Sequence, residues 1–260
     1  MMDHFANAFE KSGLRSRKKP KKESQKKEPK DRANLGWLFY RDYFEGIDFN
    51  NLESNEEQIK SKIKKILDQS PKLQTKKSLG NVSFELTTTY PGLLLGSGYL
   101  HELPDVKGQA ILGFDFDYTT GLPIIRGSSI KGVLRSAYEH SDYIKSLLDR
   151  DLDIEKLKAE IFENSDIFFD AYIIGFKDTL LSDDYITPHK DALKNPTPLR
   201  FIKVSPNVTF RFEFRLNDLK LNGTILTKEE KKELFKSIIL DLGLGAKTNV
   251  GYGKFVKIIC

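Results

Sequence analysis

Apolar residues occupy every second position of VTFRFEFRL, where Val208, Phe210, Phe212, Phe214 and Leu216 alternate with Thr209, Arg211, Glu213 and Arg215. That period of two predicts a half-buried strand over 208–216. NVSFELTTTY alternates in the same way and predicts a strand over 82–90, while FDFDY sets Phe114, Phe116 and Tyr118 against Asp115 and Asp117, a further sheet signal. The strongly apolar DIFFDAYIIGF predicts a strand over 167–175, and KFVKII a closing strand over 253–259. Elsewhere the period changes to that of a helix. Ile130, Val133, Leu134, Ala137 and Tyr138 form one stripe, so a helix over 128–140 is expected, with Ser128 or Ser129 as N-cap. Leu234, Phe235, Ile238, Ile239 and Leu242 define a helix over 228–242 with Gly243 as its natural stop.

Weaker patterns predict helices over 54–68, ended by Pro71, and over 153–164, with a long Pro/Asp-rich loop over 178–198. In order, the six best-supported elements read β-α-β-β-α-β. This is the ferredoxin-like order of an α+β fold, with insertions in the first crossover and between the two central strands. No repeat of 20 to 50 residues is visible.

Charge divides the chain more sharply than hydropathy does. The net charge over 260 residues is +5, yet residues 11–32 hold eleven Lys/Arg against Glu23, Glu28 and Asp31, a local +8 that leaves −3 for the remainder. Between Leu14 and Ala33 this segment offers no apolar side chain to a core, so residues 1–33 are expected to be a disordered basic tail. A tail of that charge suits either nonspecific phosphate binding or solubilisation. Residues 34–80 follow as a helical N-terminal extension whose Trp37, Phe39, Tyr40, Tyr43 and Phe44 are expected to pack on the chain's own domain, which spans 81–260. The single cysteine, Cys260, excludes an internal disulfide and a cysteine-built zinc site, and His4, His101, His140 and His189 are scattered. With no run near the roughly 20 apolar residues that span a bilayer, a soluble, cytoplasmic protein without membrane contact is expected.

Two glycine-containing stretches carry the candidate chemistry. In GLPIIRGSSIKGVLR, Gly121 and Gly127 stand six apart and Ser128 follows where a Walker loop needs lysine, so a nucleotide loop is excluded. Gly127, Ser128 and Ser129 still place backbone N–H groups at the positive end of a helix, with Arg126 before the turn and Lys131 and Arg135 one helical turn apart behind it. A bare helix start and a phosphodiester site both fit. Gly132 is costly inside a helix and suggests a closely approached backbone. In GLGAKTNVGYGKF, residues 243–255, four glycines (Gly243, Gly245, Gly251, Gly253) flank Lys247, Thr248, Asn249 and Lys254, more glycine than a turn needs. Such a loop suits a sugar-phosphate backbone, and Ala246 removes it from the Walker pattern. Catalytic sets are weak: His189 has Asp183, Asp184 and Asp191 nearby in sequence, and Asp115 with Asp117 could chelate a divalent ion, yet alternating Asp opposite alternating aromatics is the pattern of a solvated sheet face.

Taken together, the two stretches resemble the two signature motifs of the RAMP superfamily of CRISPR effector proteins, in the right order and about 115 residues apart. LTTTYPGLLLGSGY, GFDFDYTTGLP and DYITPHKD resemble one subgroup, the sixth subunits of type III-B (Cmr) complexes, and the likeness covers residues 35–260. It implies a ferredoxin-like, RRM-related fold. It also implies a noncatalytic RNA-binding structural subunit that caps the end of the complex holding the 3′ part of the guide RNA, with no cofactor or metal. The implied partners are the guide RNA, the complementary target RNA, and the backbone, small and second capping subunits. The residues matching the RNA-binding motifs are Arg126, Gly127, Ser128, Ser129, Lys131 and Arg135, and Gly243, Gly245, Lys247, Thr248, Asn249, Gly251, Gly253 and Lys254. No RNP-type aromatic run is visible, so contact is expected through the RNA backbone. A metal-independent guide-processing endoribonuclease of the same superfamily, with His189 or His101 as base, is the competing reading.

Overall fold

The structure is a computed structural model that describes residues 34–73, 77–95, 109–110, 114–186, 198–221 and 223–257. The basic tail, His101, His189 and the last three residues therefore lie outside the described residues.

The main sheet has the order β10-β1-β7-β4-β2, formed by Phe255–Lys257, Val82–Thr88, Val208–Arg215, Ala171–Phe176 and Ile124–Ile125. Every neighbouring pair is antiparallel. Setting aside the edge strand β2, last-first-third-second is the order that a β-α-β-β-α-β chain produces when each crossover packs a helix on one face. Those helices are α3 (Gly127–Ala137) and α6 (Lys228–Leu242). The alternation seen in the sequence sets the register: Phe84 stands opposite Phe212, and Phe84 stacks on both Phe212 and Phe214. Phe214 and Phe168 then meet Phe235 of α6, closing an apolar layer of aromatic rings.

The opposite face is polar. Arg211 chelates Glu85 across the β1–β7 pair, and the Tyr172 hydroxyl donates to Glu213 at 2.7 Å. Burial pushes the Glu213 carboxyl up, but the Tyr172 hydroxyl and the backbone N–H groups of Leu79 and Gly80 outweigh it and leave the group below its usual range.

Several expectations need correction. The apolar stretch at 167–175 is broken into β3 (Ile167–Phe168) and β4, with Phe169 N–H still donating to the Glu213 carbonyl while the Asp170 side chain turns to the start of α3. Residues 114–118 form no strand but a single Phe116–Pro123 bridge. There the Asp117 carboxylate takes the Thr119 and Thr120 N–H groups and folds the chain into a turn. The supposed long loop includes β5 (Leu181–Ile186), which pairs with β6 (Leu199–Val204) as the insertion between the central strands. Further insertions are α4 (Ser141–Leu148), α5 (Ile154–Ala159) and the hairpin β8–β9 (Leu219–Leu221, Thr224–Leu226).

The N-terminal helices α1 (Leu35–Tyr40) and α2 (Glu56–Leu67) belong to the same core. Phe39 packs on Phe114 and Phe116, and the Tyr40 hydroxyl donates to the Phe114 carbonyl. Among the described residues no helix is long and apolar enough to cross a membrane.

Candidate nucleic-acid interface

Helix α3 begins at Gly127, one residue earlier than the serines suggested, and its N-cap is Arg126 in an extended conformation without a side-chain cap bond. The cap comes instead from a distant carboxylate: Gly127 N–H donates to Asp170 Oδ1 at 2.7 Å. A negative group at a helix N-terminus is favourable, so Asp170 holds the place where a phosphate was expected. Glycine is required here because a Cβ would lie 2.3 Å from the Phe168 carbonyl oxygen. Ser129 and Ile130 N–H both turn to the Arg126 carbonyl. Ser128 and Ser129 have exposed side chains.

The three cations of this motif do not converge on one empty nest. Arg126 bonds Asp115 at 3.2 Å and lies 3.7 Å from Asp170. The hydrogen bond that its guanidinium donates to Asp115 is the main cause of its raised pKa. Arg135 pairs with Glu163 at 3.0 Å on an exposed surface. Lys131 Nζ lies 5.8 Å over the Phe168 ring and, among the described residues, has no ion pair. Gly132 is exposed, and among the described residues nothing stands within 4 Å of where its Cβ would be. The close approach that its presence suggested is made by none of the described residues.

The second motif folds back on the chain itself. Gly243 closes α6 with a positive φ, and a Cβ on Gly253 would sit 1.8 Å from the Leu244 carbonyl oxygen. A Cβ on Gly245 would sit 2.2 Å from that of Leu94. The matching hydrogen bonds are Leu244 N–H to Gly253, Ala246 N–H to Leu94 and Gly253 N–H to Gly92, all 2.8–2.9 Å. Much of the unusual glycine content therefore serves protein backbone packed on protein backbone. Lys254 is likewise occupied: its ammonium donates to the Asp241 and Leu242 carbonyls, the unsatisfied end of α6. What the loop leaves outward is Lys247, in the left-handed region at φ 60, and Asn249, both exposed. Among the described residues neither side chain has a hydrogen bond or ion pair. Thr248 beside them is half-buried and opens a 3-10 turn over Thr248–Val250.

Although separately braced, the two motifs border one groove of about 290 Å³. Arg126 and Ser129 stand on one side and Gly245 and Ala246 on the other, with Leu95, Ile124, Ile125 and Val133 between them. Sequence reasoning could pair the motifs but not see what joins them. That is the segment after β1, where Leu93 bridges to Val204 and Leu94 to Ala246. The sequence marked it only as part of LTTTYPGLLLGSGY, an uncharged stretch whose resemblance did not point to contact with either motif. The candidate divalent-ion pair is used otherwise, Asp115 on Arg126 and Asp117 in its own turn, and among the described residues no three acidic, His or Cys groups cluster. Asp183 and Asp184 are engaged by Arg200 and Lys203.

Comparison with known proteins adds the following. The model of the RAMP superfamily matches residues 85–256, which include both motifs. The CMR subunit Cmr6 of Saccharolobus solfataricus is 31% identical over 210 residues, covering 75% of this chain and 64% of that protein, so the chain spans somewhat under two thirds of the length of that relative. Among solved structures, a chain of a type III-B Cmr-β complex bound to cognate target RNA is 32% identical, with a TM-score of 0.47 over 66% of this chain and 56% of that one. Cmr6 from Pyrococcus furiosus is 20% identical, with a TM-score of 0.40 over 68% of this chain and 97% of that one.

Proposed function

The chain belongs to the RAMP superfamily, and from that premise we propose that it is a noncatalytic RNA-binding structural subunit of a type III-B CRISPR effector complex. Its place is the cap over the end that holds the 3′ part of the guide RNA, with the target RNA and the backbone, small and second capping subunits as partners. The likeness to Cmr6 supports the complex. The observation that carries the RNA contact is the shared groove, which brings the start of α3 and the glycine loop together across more than a hundred residues of sequence.

Geometry also divides labour among the motif residues. Gly127, Gly243, Gly245, Gly253 and Lys254 brace the chain, and Arg126 and Arg135 are held by carboxylates. Contact with RNA falls to Ser128, Ser129 and Lys131 on α3 and to Lys247, Thr248 and Asn249 on the loop, with Gly251 giving the loop its turn. Lys247 is the free cation of that loop, and one lysine on a phosphate displaces about one counterion.

The test is the salt dependence of binding. In Lys247→Gln the full-length chain is expected to bind a short unstructured single-stranded RNA more weakly regardless of sequence. Its slope of log affinity against log salt should be smaller by about 0.7. A wild-type chain that does not retain this RNA at low salt, or an unchanged slope in the variant, sinks the reading. No observation favours the endoribonuclease reading, whose His101 and His189 lie outside the described residues.

A further inference from the structure

Beside the glycine loop stands a tyrosine that neither motif includes. The Tyr90 ring is 85% exposed, on the turn that follows β1. Single exposed aromatics are common and need no explanation, but the turn under this one is fixed from several sides. Thr89 donates its N–H and hydroxyl to the Lys254 carbonyl at 3.0 and 3.2 Å, and Gly92 N–H donates to Thr89 at 2.7 Å. Gly253 N–H reaches the Gly92 carbonyl at 2.8 Å. One residue earlier, the buried Thr88 hydroxyl is bonded to the Ser205 carbonyl and receives the Val208 N–H. The ring is thus presented by a backbone locked to the glycine loop, so holding it in place costs little further entropy on binding.

Its surroundings point to a kind of ligand. A Cβ added at Gly251 would come within 3.7 Å of the Pro91 ring, so the Tyr90–Pro91 turn and the loop run side by side. Val250 on that loop is 61% exposed, and the unpaired Lys247 and Asn249 are its neighbours. An aromatic face on a turn hydrogen-bonded to the loop that carries a free ammonium and a free amide matches the needs of a single-stranded polynucleotide: stacking for a base, charge for a phosphate, hydrogen bonds for sugar or base edge. A protein partner suits this surface less well, because the apolar area is two side chains wide and lysine is depleted from the centres of protein interfaces.

We propose that the Tyr90 ring is a stacking platform for one unpaired nucleobase of the RNA whose phosphates run along the Lys247–Asn249 turn. This rests on the RNA-binding reading above, and the experiment separates the two. The full-length chain is titrated with a fluorescein-labelled, unstructured single-stranded RNA at several salt concentrations. Tyr90→Ala and Tyr90→Leu are expected to bind about tenfold more weakly or worse, Tyr90→Phe to bind like wild type, and all three to keep the wild-type salt slope, since a neutral contact releases no counterion. The ring lies on the surface, so unchanged thermal unfolding confirms that the variants fold. Equal binding by Tyr90→Ala and wild type overturns the proposal, as does Tyr90→Leu matching Tyr90→Phe, which would make the contact apolar rather than stacked. If Lys247→Gln still changes the slope in those cases, the RNA-binding reading survives alone; a wild type that binds no RNA removes both. Normal RNA binding by a Tyr90→Ala chain that drops out of the purified multi-subunit complex would assign the ring to a protein partner and also overturn it.

Discussion

At the start of α3, Gly127 abuts a carbonyl oxygen while Gly132, five residues later, faces open space; in the loop after α6, Gly243, Gly245 and Gly253 all abut carbonyl oxygens of their own chain. The two regions look alike as strings of glycine and lysine, and both were candidates for a polynucleotide backbone. Their difference shows that glycine reports a close approach without saying by whom. The loop is a braced piece of the domain that offers one exposed turn. The helix start is braced at its first residue and bare along its outer face.

Substitutions can break that contrast. The largest effect is expected at Gly253, which combines φ 66 with the 1.8 Å approach to the Leu244 carbonyl. Gly253→Ala should lose about 3 kcal/mol or more of stability in urea denaturation, because both strain and displaced backbone act against the folded state. A loss below about 1 kcal/mol would mean the loop is free to move and its glycines are not spent on the fold. Next comes Gly127→Ala, where φ is ordinary and the backbone of Phe168 and Phe169 opposes a Cβ. A loss of about 2 kcal/mol is expected, together with weakening of the Asp170 cap. The smallest effect has the opposite sign. Gly132→Ala should stabilise the chain by up to about 1 kcal/mol through helix propensity while lowering RNA affinity, since the added methyl points to the face left bare. Stabilisation with unchanged affinity would place Gly132 outside the interface.

Much of the fold was legible because its signals are local. The alternation of Val208 to Leu216 and the stripe of Leu234, Phe235, Ile238 and Ile239 put their apolar side chains in the core as expected, whereas Leu242 of the same stripe is exposed and Glu213, expected to face outward, is buried. A further local signal was there to be used: Thr227 and Glu230 form a capping box at the start of α6, the Thr-x-x-Glu spacing that marks a helix start. What failed were inferences about partners. Asp115 and Asp117 looked like a pair and serve separate tasks. Lys231, on which no sequence pattern bore, is fully buried against Asp166 at 2.5 Å, an ion pair between residues 65 apart in sequence. The Gly-Ser-Ser turn is capped by Asp170 rather than by its own serines.

The sequence by itself determined the β-α-β-β-α-β order and the position of the two motifs, because burial imposes periods of 2 and 3.6 on neighbouring residues. It also determined the RAMP kinship, because two motifs in order are written in the chain. Only the tertiary structure decided which cations remain free among the described residues, which glycines are spent on the chain's own backbone, and that the turn carrying Tyr90 is hydrogen-bonded to the glycine loop. Each of these depends on what residues distant in sequence place within a few ångströms, and no local pattern encodes that distance.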